Sequence, residues 1–231
     1  MKSAWVWTGM LLIAALAMPA AANVILTVKA TAGQYSATES FDVPCVAGQA
    51  DWALGTPRDI TVGGVQLGQI KELAFQSDSE PFVNLHFSVE AFALDTTFEI
   101  NSAVVTFGAL LDADAYASAG VTLTGDEDGA TLTGLFDGAS YQARYDAGIL
   151  YANLVRGFSV DADQTLTHSD RSPAAGYNTI STISSIESQF KFTLSALDQA
   201  SGTSRFYVTP EPATLALLGL CGLALIRRRK A

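Results

Sequence analysis

Three pairs of aspartates stand two residues apart, Asp112/Asp114, Asp126/Asp128 and Asp161/Asp163. Carboxylates so spaced on a loop are donors that a hard cation such as Ca2+ takes. The run from Asp161 to Thr165 (DADQT) comes nearest, with oxygen-bearing side chains at alternate positions. It lacks the glycine and the distal glutamate of a helix–loop–helix calcium site. No cofactor is expected, and Asp161 and Asp163 are the nearest candidates for Ca2+. Acidic loops that keep a domain soluble are the simpler account. The two histidines are His86, on the polar side of an alternating stretch, and His168, in a polar segment beside Asp170. A His168/Asp170 acid–base pair needs a nucleophile next to it. No G-x-S-x-G, H-E-x-x-H or Cys–His arrangement supplies one. The expectation is a protein without catalytic residues, not an enzyme; a hydrolase would need His168 or paired carboxylates gathered in a cleft.

Aromatic side chains offer a different chemistry, stacking on sugars. Trp52, Tyr116, Tyr141, Tyr145, Tyr151 and Tyr177 are the ones available, but Tyr141 and Tyr145 share a strand face with Ala143, and core packing is the reading adopted. Cys45 and Cys221 fall in different parts of the chain, so Cys45 is expected as a buried free thiol.

The elements that would carry these residues lie between two processing segments. Residues 1–22 read as a signal peptide: Lys2, an apolar run from Met10 to Met18, then Pro19 and Ala20-Ala21-Ala22. Small side chains at Ala20 and Ala22 are what signal peptidase reads, with cleavage before Asn23. At the other end, Pro210-Glu211-Pro212 precedes an uncharged 14-residue run, Ala213 to Ile226, and then Arg227, Arg228, Arg229 and Lys230. As a helix that run is about 21 Å long, short of the roughly 30 Å of bilayer hydrocarbon. It spans only if arginine stems reach the interface or the bilayer thins. The cations orient that end toward the cytoplasm.

A Pro-Glu-Pro tripeptide, a short apolar helix and a terminal Arg cluster, in that order, resemble the PEP-CTERM protein-sorting signal of bacteria with an outer membrane. The resemblance covers residues 209–231. It implies recognition by an exosortase-like enzyme of the inner membrane, with Pro210, Glu211 and Pro212 as the recognition element and Arg227 to Lys230 as the cytoplasmic retention element. It also implies transient membrane insertion, delivery to the cell surface or beyond, and the company of exopolysaccharide. Cys221 stands where a glycine or apolar residue is more usual. A C-terminal anchor that is never removed is the alternative.

Between the ends, residues 23–208 carry 8 cations against 22 acids, a net charge of −14. The whole chain, with 13 Lys+Arg against 23 Asp+Glu, stands at −10, which argues against a nucleic-acid partner. Apolar residues alternate with polar ones through Val83, Leu85, Phe87, Val89 and Ala91, and again through Phe190, Phe192 and Leu194. Shorter alternations occur at Val24–Val28, Tyr35–Ala37, Phe98–Ile100, Val121–Leu123 and Tyr141–Tyr145. This period of two is that of antiparallel strands with one face on a core. The phase slips near Ser102-Ala103, predicting a bulge or strand end. Gly63-Gly64, Asp137-Gly138 and Asp198 to Gly202 read as turns. Val121 to Gly134 (VTLTGDEDGATLTG) reads as a hairpin with an acidic tip. Asp161 to Tyr177, polar and containing Ser172-Pro173, reads as a long surface loop. About ten strands and no helical stretch away from the ends predict an all-β, antiparallel β-sandwich, jelly-roll or immunoglobulin-like. A signal helix and a short transmembrane helix flank it. The function expected is that of an exported, non-enzymatic cell-surface or matrix protein. A calcium- or carbohydrate-binding sandwich module is the alternative.

Overall fold

A computed structural model of the chain describes residues 22–210 apart from 47, 48, 79 and 147. The two flanking helices expected from sequence, with Ala20, Glu211, Pro212 and Arg227 to Lys230, lie outside those residues. Within them there are strands and no helix, and every strand pairing is antiparallel.

The strands follow in order as β1 (Ala22–Ala32), β2 (Tyr35–Cys45), β3 (Ala50–Ala53), β4 (Arg58–Val62) and β5 (Val65–Asp78). Next come β6 (Phe82–Ala91), β7 (Thr96–Asn101), β8 (Val105–Thr124), β9 (Ala130–Gly134) and β10 (Ala139–Tyr145). The last five are β11 (Ile149–Arg156), β12 (Phe158–Val160), β13 (Thr165–Ser172), β14 (Asn178–Leu194) and β15 (Gln199–Thr209). All fifteen belong to one hydrogen-bonded sheet, which curls on itself until it is nearly a barrel. One arm runs β2–β1–β7–β14, the other β8–β15–β6–β5. β14 belongs to both. Its first half, Asn178 to Ile186, pairs with β8, and its second half, Gln189 to Leu194, pairs with β7.

The alternation read from sequence is what closes the core. Leu85, Phe87 and Val89 of β6 turn inward and meet Phe190, Phe192 and Leu194 of β14, all buried. Phe87 sits edge-on to Phe190 at 4.8 Å and lies 5.7 Å from Phe192, favourable geometries for aromatic quadrupoles. Tyr141 joins the cluster 4.9 Å from Phe190. Burial pushes its phenol up to about 12, and its hydroxyl is satisfied by Ser188 at 2.9 Å.

Several local expectations hold. Gly63 and Gly64, at φ of 58° and 81°, make the two-residue turn between β4 and β5, which closes with Val62 opposite Val65. β7 ends at Asn101, where the alternation slips. Asp137 and Gly138 both take positive φ in the turn before β10.

Three expectations need correcting. The arms of the supposed 121–134 hairpin do not pair: Val121 to Thr124 lie between β13 and β15, whereas β9 pairs with β12 and β14 in the other arm. The acidic tip is a crossing between arms. Its Thr/Leu alternation suits any neighbour, and more distant strands had the better claim. Residues 165–172 of the supposed loop form β13, paired along its whole length with β8. Because β13 is open to water on both faces, it shows no apolar alternation. Finally, the turn before β15 ends at Asp198, so Gly202 is a strand residue, not a turn residue.

Gly202 is held there by packing. A methyl group at its Cα would stand 2.7 Å from Phe87 Cζ, on a ring already pinned by Phe190 and Phe192. Gly202→Ala is expected to destabilise the exported domain by about 1–3 kcal/mol. Urea unfolding checks this, and an unchanged midpoint would mean that the ring yields freely.

Candidate functional site

Two places gather the side chains of chemical interest. The first is acidic. The 125–129 crossing and the turn at 161–164 lie side by side, joined by hydrogen bonds from the Asp163 amide to the Asp126 carbonyl (2.8 Å) and from the Gly125 amide to the Gln164 carbonyl (3.0 Å). Asp126 and Asp163, far apart in sequence, therefore meet through their backbones. Asp126 Oδ1 accepts the Asp128 amide at 3.0 Å, which holds its carboxyl below the usual range. Asp128, whose carboxyl is hydrogen-bonded to that of Asp126 and feels its charge, is held above it. Asp198 is buried next to them, accepting the Asp126 amide at 3.2 Å and the Ser195 hydroxyl. Burial raises its carboxyl. Among the described residues no group of three or more His, Cys, Asp or Glu side chains is placed to hold a metal ion, and the candidates Asp161 and Asp163 are no exception. The carboxylates of Asp126 and Asp198 accept hydrogen bonds from backbone amides of the 125–129 crossing.

The histidines have partners. His86 Nε2 on β6 lies 2.9 Å from Glu72 Oε2 on β5. His168, on β13 and not in a loop, stacks on Phe158 at 4.2 Å with ring planes 20° apart. Asp170 Oδ1 is engaged by the amide of Arg171. Cys45 is a free thiol at the end of β2, half-buried where full burial was expected.

The second place is the outer face of the β13–β8–β15–β6 arm, and it corrects the reading of the aromatics as core. Tyr141 is core, and Trp52 is half-buried against Phe41 at 5.5 Å. Tyr116 and Tyr177 point outward. Tyr116 on β8 is in register with Tyr207 on β15, which is in register with Phe82 on β6. Tyr116 lies 5.7 Å from Tyr207 and 5.5 Å from Tyr177, ring centre to ring centre. One row along, Arg171, Ser118 and Arg205 face each other across β13, β8 and β15. Arg171 lies over Tyr116 at 4.9 Å, and Arg205 over Phe82 and Tyr207 at 5.3 Å each. The Arg171 guanidinium also donates to the Gly176 carbonyl at 2.9 Å. An open groove of about 690 Å3 runs along this face between β13 and β15. Tyr207 and Phe82 were missed in sequence. The signal was there: with Phe206 and Val208 buried, period two puts Arg205 and Tyr207 outside.

The fold thus defines an all-β antiparallel domain whose last strand leads at Thr209 straight into Pro210. A family model for the PEP-CTERM protein-sorting motif matches residues 208–230, so the chain carries that sorting motif at its C-terminal end. The motif is that of an exported protein processed by an exosortase-type membrane enzyme. No curated protein matches the chain. Among solved structures, an arabinose-bound MgGH51 α-L-arabinofuranosidase is similar at 12% identity and a TM-score of 0.28, over 67% of this chain. The chain spans only 23% of that enzyme. A structure of the infectious bursal disease virus Gx strain matches at 11% identity and a TM-score of 0.23, over 92% of this chain and 75% of the viral one.

The raised carboxyl of Asp198 has a sign that can be tested. Its folded value lies above its unfolded one, so the contribution to stability is present below about pH 4 and is lost as pH rises through the folded value. Asp198→Asn keeps an acceptor for the Asp126 amide without the buried charge. The variant is expected to melt above wild type at pH 7, the gap closing as pH falls below about 4. Thermal unfolding across that range reads it, and a variant less stable than wild type at pH 7 would refute the account.

Proposed function

We propose that this is an exported, non-enzymatic protein of the cell surface or extracellular matrix, freed from a transient membrane anchor by exosortase-type processing. Its β domain is read as a sandwich-like scaffold, the two arms of the sheet acting as layers. The sorting motif at residues 208–230 carries this reading. Two features of the fold support it. β1 begins at Ala22, and Asn23 already pairs with Pro44, so removal of residues 1–22 would take a single paired residue from the sheet. β15 is paired up to Thr209, so a cut near Pro210-Glu211-Pro212 would leave the sheet whole. The apolar run and Arg227 to Lys230 then act only until processing, by partition into the bilayer and by orientation.

A carbohydrate-binding role is the second reading, favoured by the row Tyr116–Tyr207–Phe82 on the outer face. Its calcium counterpart has no cluster of ligands among the described residues to recommend it.

Intact-mass spectrometry of the exported form tests the sorting reading. The product is expected to begin at Asn23, to end near the Pro-Glu-Pro tripeptide, and to retain its tail in cells lacking the processing enzyme. Recovery of Arg227 to Lys230 on the form found outside normal cells would favour the permanent anchor instead.

A further inference from the structure

We propose that the outer face of β13, β8, β15 and β6 binds an acidic polysaccharide in which uronic acids are interspersed among neutral sugars. The sugar rings sit on Tyr116, Tyr207, Phe82 and Tyr177, and the carboxylates pair with Arg171 and Arg205. This names the ligand class of the carbohydrate-binding reading and rests on it.

Between the processing segments the chain has 8 cations and 22 acids. Lys71 pairs with Glu90 at 2.6 Å and Lys191 with Glu99 at 3.0 Å, whereas Lys29, Arg58, Arg144 and Arg156 are in no ion pair among the described residues. Arg171 and Arg205 are both exposed, and among the described residues neither is in an ion pair. They line the same groove. Two unpaired guanidiniums on one face of a domain at −14 are complementary to an incoming anion.

Geometry then selects the anion. Arg171 and Arg205 flank Ser118 in register, one strand to either side of β8. Their backbones stand roughly 10 Å apart, two strand separations. A carboxylate matches the guanidinium fork in a bidentate pair. Beside the two cations, one row along the sheet, lie the rings of Tyr116, Tyr207 and Phe82 and no further cation, and the negative face of an aromatic ring accepts the C–H face of a sugar. The site therefore suits carboxylates separated by uncharged rings. A nucleic acid or a densely charged polyanion would meet two cations and a repelling domain. The groove is open to solvent; Asp170 also lines it, with one carboxylate oxygen engaged by the Arg171 amide.

Isothermal titration calorimetry on the purified exported protein tests the proposal, with gellan oligosaccharides as probe. Their repeat holds one glucuronate among neutral sugars. Wild type is expected to bind them, and to bind carboxyl-reduced gellan at least about tenfold more weakly, as loss of a charge-assisted pair entails. Arg171→Gln with Arg205→Gln, at exposed positions that leave the core untouched, is expected to produce a similar loss, as is Tyr116→Ala with Tyr207→Ala. Should the tyrosine pair fail to fold, the arginine pair alone decides. The proposal is overturned if gellan is not bound, if reduction of its carboxyls or the arginine substitutions leave affinity unchanged, or if phosphatidylglycerol vesicles are bound through these arginines while the glycan is not. None of these outcomes depends on where the tail is cut, so the sorting reading stands or falls separately.

Discussion

The structure depends on a single apolar layer that the two arms of one sheet must share. β14 makes this possible. A strand of 17 residues is long enough to pair with β8 as far as Ile186 and with β7 from Gln189, and its ladder with β8 is irregular between Ile183 and Ser185, just before that change of partner. Bulges of this kind bend a strand and increase its twist. Once β14 has turned, Phe190 and Phe192 face Phe87 from across the core. The inner faces then pack closely, as protein interiors do, and a methyl group at Gly202 would find no room beside Phe87.

The same constraint frees the other face. Each strand of the β8–β15–β6 arm gives every second residue to the core, and those that remain are in register across strands. Tyr116, Tyr207 and Phe82 form a row because their inward neighbours, Ala115 and Ala117, Phe206 and Val208, and Val83, are fixed in the core. A rigid sheet holds side chains at set separations without further devices, which is what a surface reading a polymer needs. The acidic turns at the crossing between arms serve differently. There the carboxylates of Asp126 and Asp198 satisfy backbone amides that the sheet leaves unpaired.

How much of this was legible in the sequence follows the range of the interaction. β6 and β14 announced themselves because burial of alternate residues is a property of one strand alone, and Gly63-Gly64 because positive φ is a property of one residue. Partner choice is not local. Val121 to Thr124 carry arms suited to a hairpin, yet their neighbours come from Thr165 to His168 and from Gln199 to Gly202. β13 was hidden because TLTHSDRS is exposed throughout and carries no period at all. The aromatic row was hidden for a related reason. Tyr116 and Tyr207 are 91 residues apart, and only the register of β8 on β15 makes them a pair. The sorting motif, by contrast, is contiguous, so its resemblance could be seen from residues alone.

β15 links the sorting motif to the outer face. It is a central strand, held by β8 on one side and β6 on the other, and its inward residues Phe206 and Val208 are fully buried. Its outward residues Arg205 and Tyr207 belong to the arginine and aromatic face. Its last paired residue, Thr209, immediately precedes Pro210, and the sorting motif overlaps the strand by Val208 and Thr209. Proline has no amide hydrogen to offer a neighbouring strand, so Pro210 is a natural place for the ladder to stop. A strand gripped from both sides does not fray readily, and an enzyme that reads the tripeptide must therefore work at the very edge of the folded sheet. Arg205 and Tyr207 stand five and three residues before Pro210, so under the proposed sorting reading release from the membrane is what would open that face to polymers outside the cell.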